Sequence, residues 1–104
     1  MKQLDEVDHI AVPVDDIGAA VRWYVENFEC EELYCDSSWA LLQFRNVKLA
    51  LVLPTQHPGH FAVTGTKCDT PGEVVKHRDG TESSYMSDPW SNVIEIMLER
   101  NTVE

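Results

Sequence analysis

Two histidines and one glutamate carry most of the chemistry legible in this chain. His9 opens the tetrapeptide His9-Ile10-Ala11-Val12, and His60 opens its echo, His60-Phe61-Ala62-Val63, 51 positions later (60 − 9). Glu95 stands in Val93-Ile94-Glu95-Ile96-Met97, a carboxylate in the middle of a run that should be buried. Two imidazoles and a carboxylate from three strands can occupy one face of a divalent metal and leave other positions open. That set suits Mn, Fe, Co, Ni or Zn, and the open positions accept water or substrate oxygens. Each residue alone has a plainer reading. A strand histidine is more often hydrogen-bonded or solvent-facing than a ligand, and Glu95 could look out from a strand with one wet face. Their shared place in a repeat favours the metal.

The elements that must position them follow from periodicity. From His9 to Val14 the residues alternate, with His9, Ala11 and Pro13 on one face and Ile10, Val12 and Val14 on the other, which predicts a half-buried strand. Asp15-Asp16 offers a cap and a first-turn acid for a helix carrying Ile17, Ala20, Val21, Tyr24 and Phe28 at helical spacing. Glu31–Cys35 is expected as a short strand. Trp39–Phe44 and Val47–Leu53 are two apolar strands around the Arg45-Asn46 turn. The first half thus reads β-α-β-β-β. After a linker, Pro54–Gly59, the second half restarts at His60. Thr70-Pro71-Gly72-Glu73 has capping-box spacing and predicts a short helix ending near Gly80. Ser83–Ser87 and Val93–Leu98 close the half as a strand pair, with no clear counterpart for the strand after the first helix. Equivalent closing strands place Ala50 where the second half has Glu95.

Other residues can assist. Lys48 shares the parity of Ala50 and could bind an anionic substrate or stabilise negative charge, or simply snorkel from an edge. Gln43, on the neighbouring strand, could hydrogen-bond substrate or metal-bound water, or mark a wet face. Glu95, Lys48 and Gln43 are the candidate catalytic residues. Tyr85 could donate a hydrogen bond into the site or pack in the core. His57, on the linker, is expected to be solvent-exposed, and His77 suits the negative end of a helix dipole. Trp23 and Trp90 are candidates for exposed or interface positions.

A chain of 104 residues with 43% hydrophobic residues makes one domain with a real core. Its net charge of −10 opposes nucleic acid or anionic membrane as a partner. Cys30, Cys35 and Cys68 lack framework spacing, no leader precedes the first strand, and no apolar run approaches the ~20 residues of a membrane helix. A reduced, cytoplasmic setting is expected.

The opening "DHIAVPVDD", the middle "GHFAV" and the closing "YMSDPWSNVIEIML" resemble the vicinal oxygen chelate superfamily. That group includes glyoxalase I, fosfomycin-resistance proteins, methylmalonyl-CoA epimerase, extradiol dioxygenases and bleomycin-resistance proteins. The resemblance implies an α+β fold of two βαβββ-type modules, the second shortened, whose curled mixed sheets form a cup around one divalent metal. It implies a single domain over 1–104, with module one about 4–53, module two about 60–98 and a polar tail at 99–104. Carried over by position, His9, His60 and Glu95 are the metal ligands. A fourth family position falls on Ala50, which cannot ligate, so the pattern is closer to the fosfomycin-resistance or dioxygenase branches than to glyoxalase I. The residues that hold a phosphonate in fosfomycin-type enzymes find no convincing match. In the closing turn, Trp90-Ser91 stands where the family carries Asp-Gly, and the glycine that tolerates positive φ is missing.

The function implied is that of a small metalloenzyme binding a substrate through two adjacent oxygens, an isomerase, epimerase, lyase or ring-opening transferase. The alternatives are a non-catalytic antibiotic-binding protein of the bleomycin-resistance type and a metal-stabilised structural domain. A homodimer is implied by the same resemblance, with ligands from one chain or from two.

Overall fold

The computed structural model of the protein describes residues 4–64, 74–76 and 82–97. The fold is α+β. In chain order its elements are β1 (Glu6–Pro13), α1 (Ile17–Asn27), β2 (Glu31–Cys35), β3 (Trp39–Gln43), β4 (Lys48–Val52), β5 (His60–Thr64), β6 (Val75–Lys76), β7 (Glu82–Ser87) and β8 (Val93–Met97). The chain forms two compact units. One is His9–His60, and the other joins the residues up to Asp8 to those from Phe61 onward.

In the first unit the strands run in the order β2-β3-β4-β1. β1 pairs with β4 in parallel, whereas β3 pairs antiparallel with both β4 and β2. The sheet is therefore mixed. Alternation sends Leu42, Ala40 and Leu51 to one face, where α1 lays Ile17 and Val21 on them to form the core. The spacing of four between Ile17 and Val21 puts both on one helix face. Asp16 caps the helix from an extended backbone (φ −139°, ψ 110°), its carboxylate accepting from the Ala19 N–H at 3.0 Å. The helix ends at an extended Phe28, whose N–H reaches the Tyr24 carbonyl. The expected first-turn acid is absent. Asp15 lies outside the helix and Asp16 alone serves as the cap.

The opposite face carries a smaller apolar cluster of Ala11, Ala50 and Val52, with Leu41 packed on it. At the far edge, β2 is exposed along its whole length and shifts register between Glu32 and Tyr34. The bulge and the paired acids Glu31 and Glu32 discourage further strand pairing there.

The second unit has the order β5-β8-β7-β6, matching β1-β4-β3-β2 strand for strand. Two expectations need correction. The strand after the helix has a counterpart, β6, reduced to Val75–Lys76 and paired with Ser83 and Glu82 of β7. A helix continuous through Val75 and Lys76 is therefore excluded, because both are extended. Two adjacent β-branched residues, Val74 and Val75, favour the pleated backbone over the helix suggested by the capping signal. Cys68, Thr70–Glu73, His77, Gly80, Leu98 and the tail lie outside the described residues.

The closing turn runs from Asp88 to Asn92. Asp88 accepts from the Trp90 and Asn92 backbone N–H groups at 2.8 and 3.0 Å and from Asn92 Nδ2 at 2.9 Å. Its pKa is lowered, mainly by the Asn92 side chain. Ser91 takes φ 72°, the left-handed conformation for which glycine is the usual residue. The turn keeps its geometry without the glycine.

Candidate metal centre

In-register neighbours on adjacent strands point to the same face. The pairings His9↔Lys48 and Lys48↔Gln43 thus set three side chains in one row across β1, β4 and β3. The next row on that face is Ala11, Ala50 and Leu41, and the third is Pro13, Val52 and Trp39. The row with chemistry therefore lies at one end of the strands, and apolar side chains fill the rest of the face.

His60 is brought to His9 by the linker. The backbone at Gly59 passes against β1, so a Cβ there would sit 3.4 Å from Pro13 Cδ and 3.5 Å from the Ala11 carbonyl oxygen. The His9 and His60 rings then meet edge to face, with centroids 6.0 Å apart. His60 Nδ1 lies 3.0 Å from the Pro58 carbonyl oxygen. A carbonyl only accepts, so this hydrogen bond requires a proton on Nδ1 and makes Nε2 the ring nitrogen that could meet a cation. His57 sits 6.4 Å from His60, centroid to centroid, and is half-buried where exposure was expected. The turn that begins at Leu53, with the Gln56 and His57 N–H groups bonded to the Leu53 carbonyl, folds it inward.

Glu95 lies on β8 and is only 5% exposed. An ionised carboxylate at that depth is costly without compensating charge or hydrogen bonds. Tyr85 is its direct cross-strand partner, with Ser83 two residues back on the same face. Burial pushes the Tyr85 phenol pKa up, the Glu95 charge pushes it further, and a hydrogen bond with Ser83 partly offsets both. Tyr85 is thus a neutral phenol with a proton to donate across the physiological range.

One ligand atom from each of His9, His60 and Glu95 lies within 4.8 Å of the others, a group that could hold a metal ion. Among the described residues no other such group occurs. Donors bound to one first-row ion at about 2.0–2.2 Å lie roughly 3–4 Å apart, a separation that falls within the 4.8 Å bound. The donor chemistry fits as well. Nitrogen and carboxylate oxygen suit Mn, Fe, Co, Ni and Zn, and three ligands leave positions for water or substrate.

Lys48 is half-buried beside His9 in the row described above. Gln43 shares that row, but its Nε2 donates to the Phe44 carbonyl, which turns its amide N–H toward the backbone. Two supporting groups escaped the sequence reading. The Pro58 carbonyl is a backbone acceptor with no side-chain signal. Ser83 is fully buried yet looks like an ordinary strand serine; its spacing of two from Tyr85 was the available clue.

No protein-family model matches the sequence, and no curated protein matches it. Solved structures do. The hypothetical protein BH1468 from Bacillus halodurans C-125 superposes with a TM-score of 0.73 at 15% identity, covering 98% of this chain and 99% of that one. The two chains share a fold. Lactoylglutathione lyase from Agrobacterium tumefaciens matches at 19% identity with a TM-score of 0.45, covering 88% of this chain and 92% of that one. A glyoxalase/bleomycin resistance protein/dioxygenase from Alicyclobacillus acidocaldarius matches at 19% identity with a TM-score of 0.43, covering 88% and 89%. Among the described residues no helix is long and apolar enough to cross a membrane.

Proposed function

We propose that the protein is a small divalent-metal-dependent enzyme whose substrate is held through two adjacent oxygens. The observation that carries this reading is the convergence of His9, His60 and Glu95 ligand atoms within 4.8 Å. These three residues would hold the ion, with His60 offering Nε2 because Pro58 keeps the proton on Nδ1. When bound, the ion supplies Lewis-acid stabilisation of negative charge growing on a substrate oxygen.

The chain's own groups divide the remaining work. Tyr85 keeps its phenolic proton and donates a hydrogen bond toward developing oxyanion or enolate charge. Glu95 is both ligand and candidate proton acceptor, and Gln43 offers its carbonyl oxygen to substrate or water. Isomerisation, epimerisation, lyase chemistry and ring opening all need this combination of charge stabilisation and proton transfer. Leu4, Val7 and Ile10 are large exposed apolar side chains on or next to β1, and we propose that a second copy of the chain covers part of this apolar surface.

Metal analysis tests the reading. Protein purified without added metal is expected to carry one divalent ion per chain, and His9→Ala and Glu95→Ala are expected to lose it. Tight small-molecule binding that is indifferent to chelator would instead mark a sequestration protein. A coordination shell with no exchangeable water, read by proton relaxation of the Mn-loaded form, would mark a structural metal.

A further inference from the structure

We propose that the aromatic end of α1 is a docking surface for a basic segment of a partner protein, whose arginine or lysine side chains lie against Trp23 and among the carboxylates around it. The surface belongs wholly to the His9–His60 unit and uses none of the candidate metal ligands.

Three observations support it. The first is aromatic surface left in water. Ile17 and Val21 bury one face of α1. Trp23, two residues past Val21, falls about 200° further round the helix and is 53% exposed. Phe28, at the helix end, is 47% exposed. The Trp23 ring meets Tyr24 at 5.0 Å and Phe28 at 5.9 Å, centroid to centroid, both edge to face. Phe28 in turn meets Phe44 at 6.1 Å. These rings brace Trp23 while about half of its surface stays in water.

The second is charge. From Trp23 to Phe44 the chain carries five acids, Glu26, Glu29, Glu31, Glu32 and Asp36, and no Lys or Arg. Glu26 follows Trp23 by three residues and so shares its helix face, and both Glu26 and Glu29 are exposed. The preceding cation turns the other way. A Cβ at Gly18 would lie 3.8 Å from the Arg22 guanidinium and 3.8 Å from Asp16 Oδ1, which places the arginine back toward the start of the helix.

The third is the helix end itself. Aligned peptide dipoles give a helix C-terminus partial negative charge, which a basic residue in the last turn offsets. α1 has no basic residue there, and Glu26 adds a full negative charge instead. Aromatic faces, carboxylates and a helix C-terminus all attract the same ligand, a cation. A helix surface is convex, whereas small ligands take concave sites, so the cation arrives on a larger partner. A second copy of this chain, with net charge −10, would bring repulsion in its place.

The probes are a short peptide alternating arginine with leucine, the same peptide with neutral citrulline for arginine, and tetramethylammonium. Binding would be followed by calorimetry and by the Trp23 indole N–H resonance, assigned with Trp23→Phe. The arginine peptide is expected to bind and to shift that resonance, and the other two probes to do neither. Trp23→Ala should weaken binding roughly fivefold, and Trp23→Phe by less. Glu26→Gln should weaken it about twofold. Asp15→Asn removes the same charge roughly 16 Å away, at the other end of α1, and should leave binding unchanged. Equal losses in Glu26→Gln and Asp15→Asn would reveal diffuse attraction to an acidic chain and overturn the proposal. So would undiminished binding by Trp23→Ala, failure of the arginine peptide to bind, or equal binding of the citrulline peptide or of tetramethylammonium. Sedimentation showing a wild-type dimer and a monomeric Trp23→Ala would give the surface to a second copy and overturn it too. If circular dichroism shows Trp23→Ala unfolded, Trp23→Phe and Glu26→Gln decide.

Discussion

At His60, a single hydrogen bond determines which ring nitrogen can meet a cation, and the partner is the Pro58 main-chain carbonyl. Residue type pointed to His60 as a candidate ligand; the backbone acceptor that orients its ring left no trace in the sequence. His9, His60 and Glu95 were legible because they break or repeat a pattern, whereas Ser83 was not, since a strand serine fits almost anywhere. If a metal binds here, ion at 100 times its dissociation constant should stabilise the wild type by about 2.7 kcal/mol. His60→Ala should lose that increment, and thermal melts with and without metal would show it. Ser91 offers an independent test. It holds φ 72° with a side chain attached, so Ser91→Gly should stabilise the protein by ~1 kcal/mol in chemical denaturation.

Among the elements, α1 and the strands of the first unit were readable because several signals agree. Asp16 caps, Ile17 and Val21 recur at helical spacing, and the strands alternate. Asp16→Ala should cost about 1 kcal/mol through loss of the bond to the Ala19 N–H, while Asp15→Ala should leave the denaturation midpoint almost unchanged. The second half was harder because its signals conflict. A capping-box spacing argued for helix, and pairing with β7 makes Val75–Lys76 a strand instead.

The β2–β3 turn hangs on Asp36, which accepts from the Tyr34 hydroxyl, from the Ser38 N–H and hydroxyl at 2.7 and 2.8 Å, and from the Trp39 N–H at 3.0 Å. These bonds, Tyr34 foremost, hold its pKa well below the usual carboxylate range. A lowered folded-state value means that the contribution of Asp36 to stability is complete above the unfolded pKa of about 3.9. It falls away as pH drops from there through the folded-state value. Carboxyl NMR titration should place the Asp36 midpoint below those of the other aspartates, and acid should loosen this turn late.

For the whole molecule, the repeat was the most legible feature, since the order β2-β3-β4-β1 recurs as β6-β7-β8-β5. Its assembly state is a separate matter, tested in solution. Light scattering is expected to report twice the 11.8 kDa chain mass; a monomer at all concentrations would reject the second copy. The division into units has one more consequence. His9–His60 is a continuous stretch, while the residues up to Asp8 belong with those beyond Phe61. During synthesis the continuous unit can close as soon as it leaves the ribosome, but the interrupted one must keep its first residues waiting until the last strand emerges. Loop-closure entropy therefore makes it the slower to form. A chain ending shortly after residue 60 and released from the ribosome should resist protease across its middle while its N-terminal end is still cut.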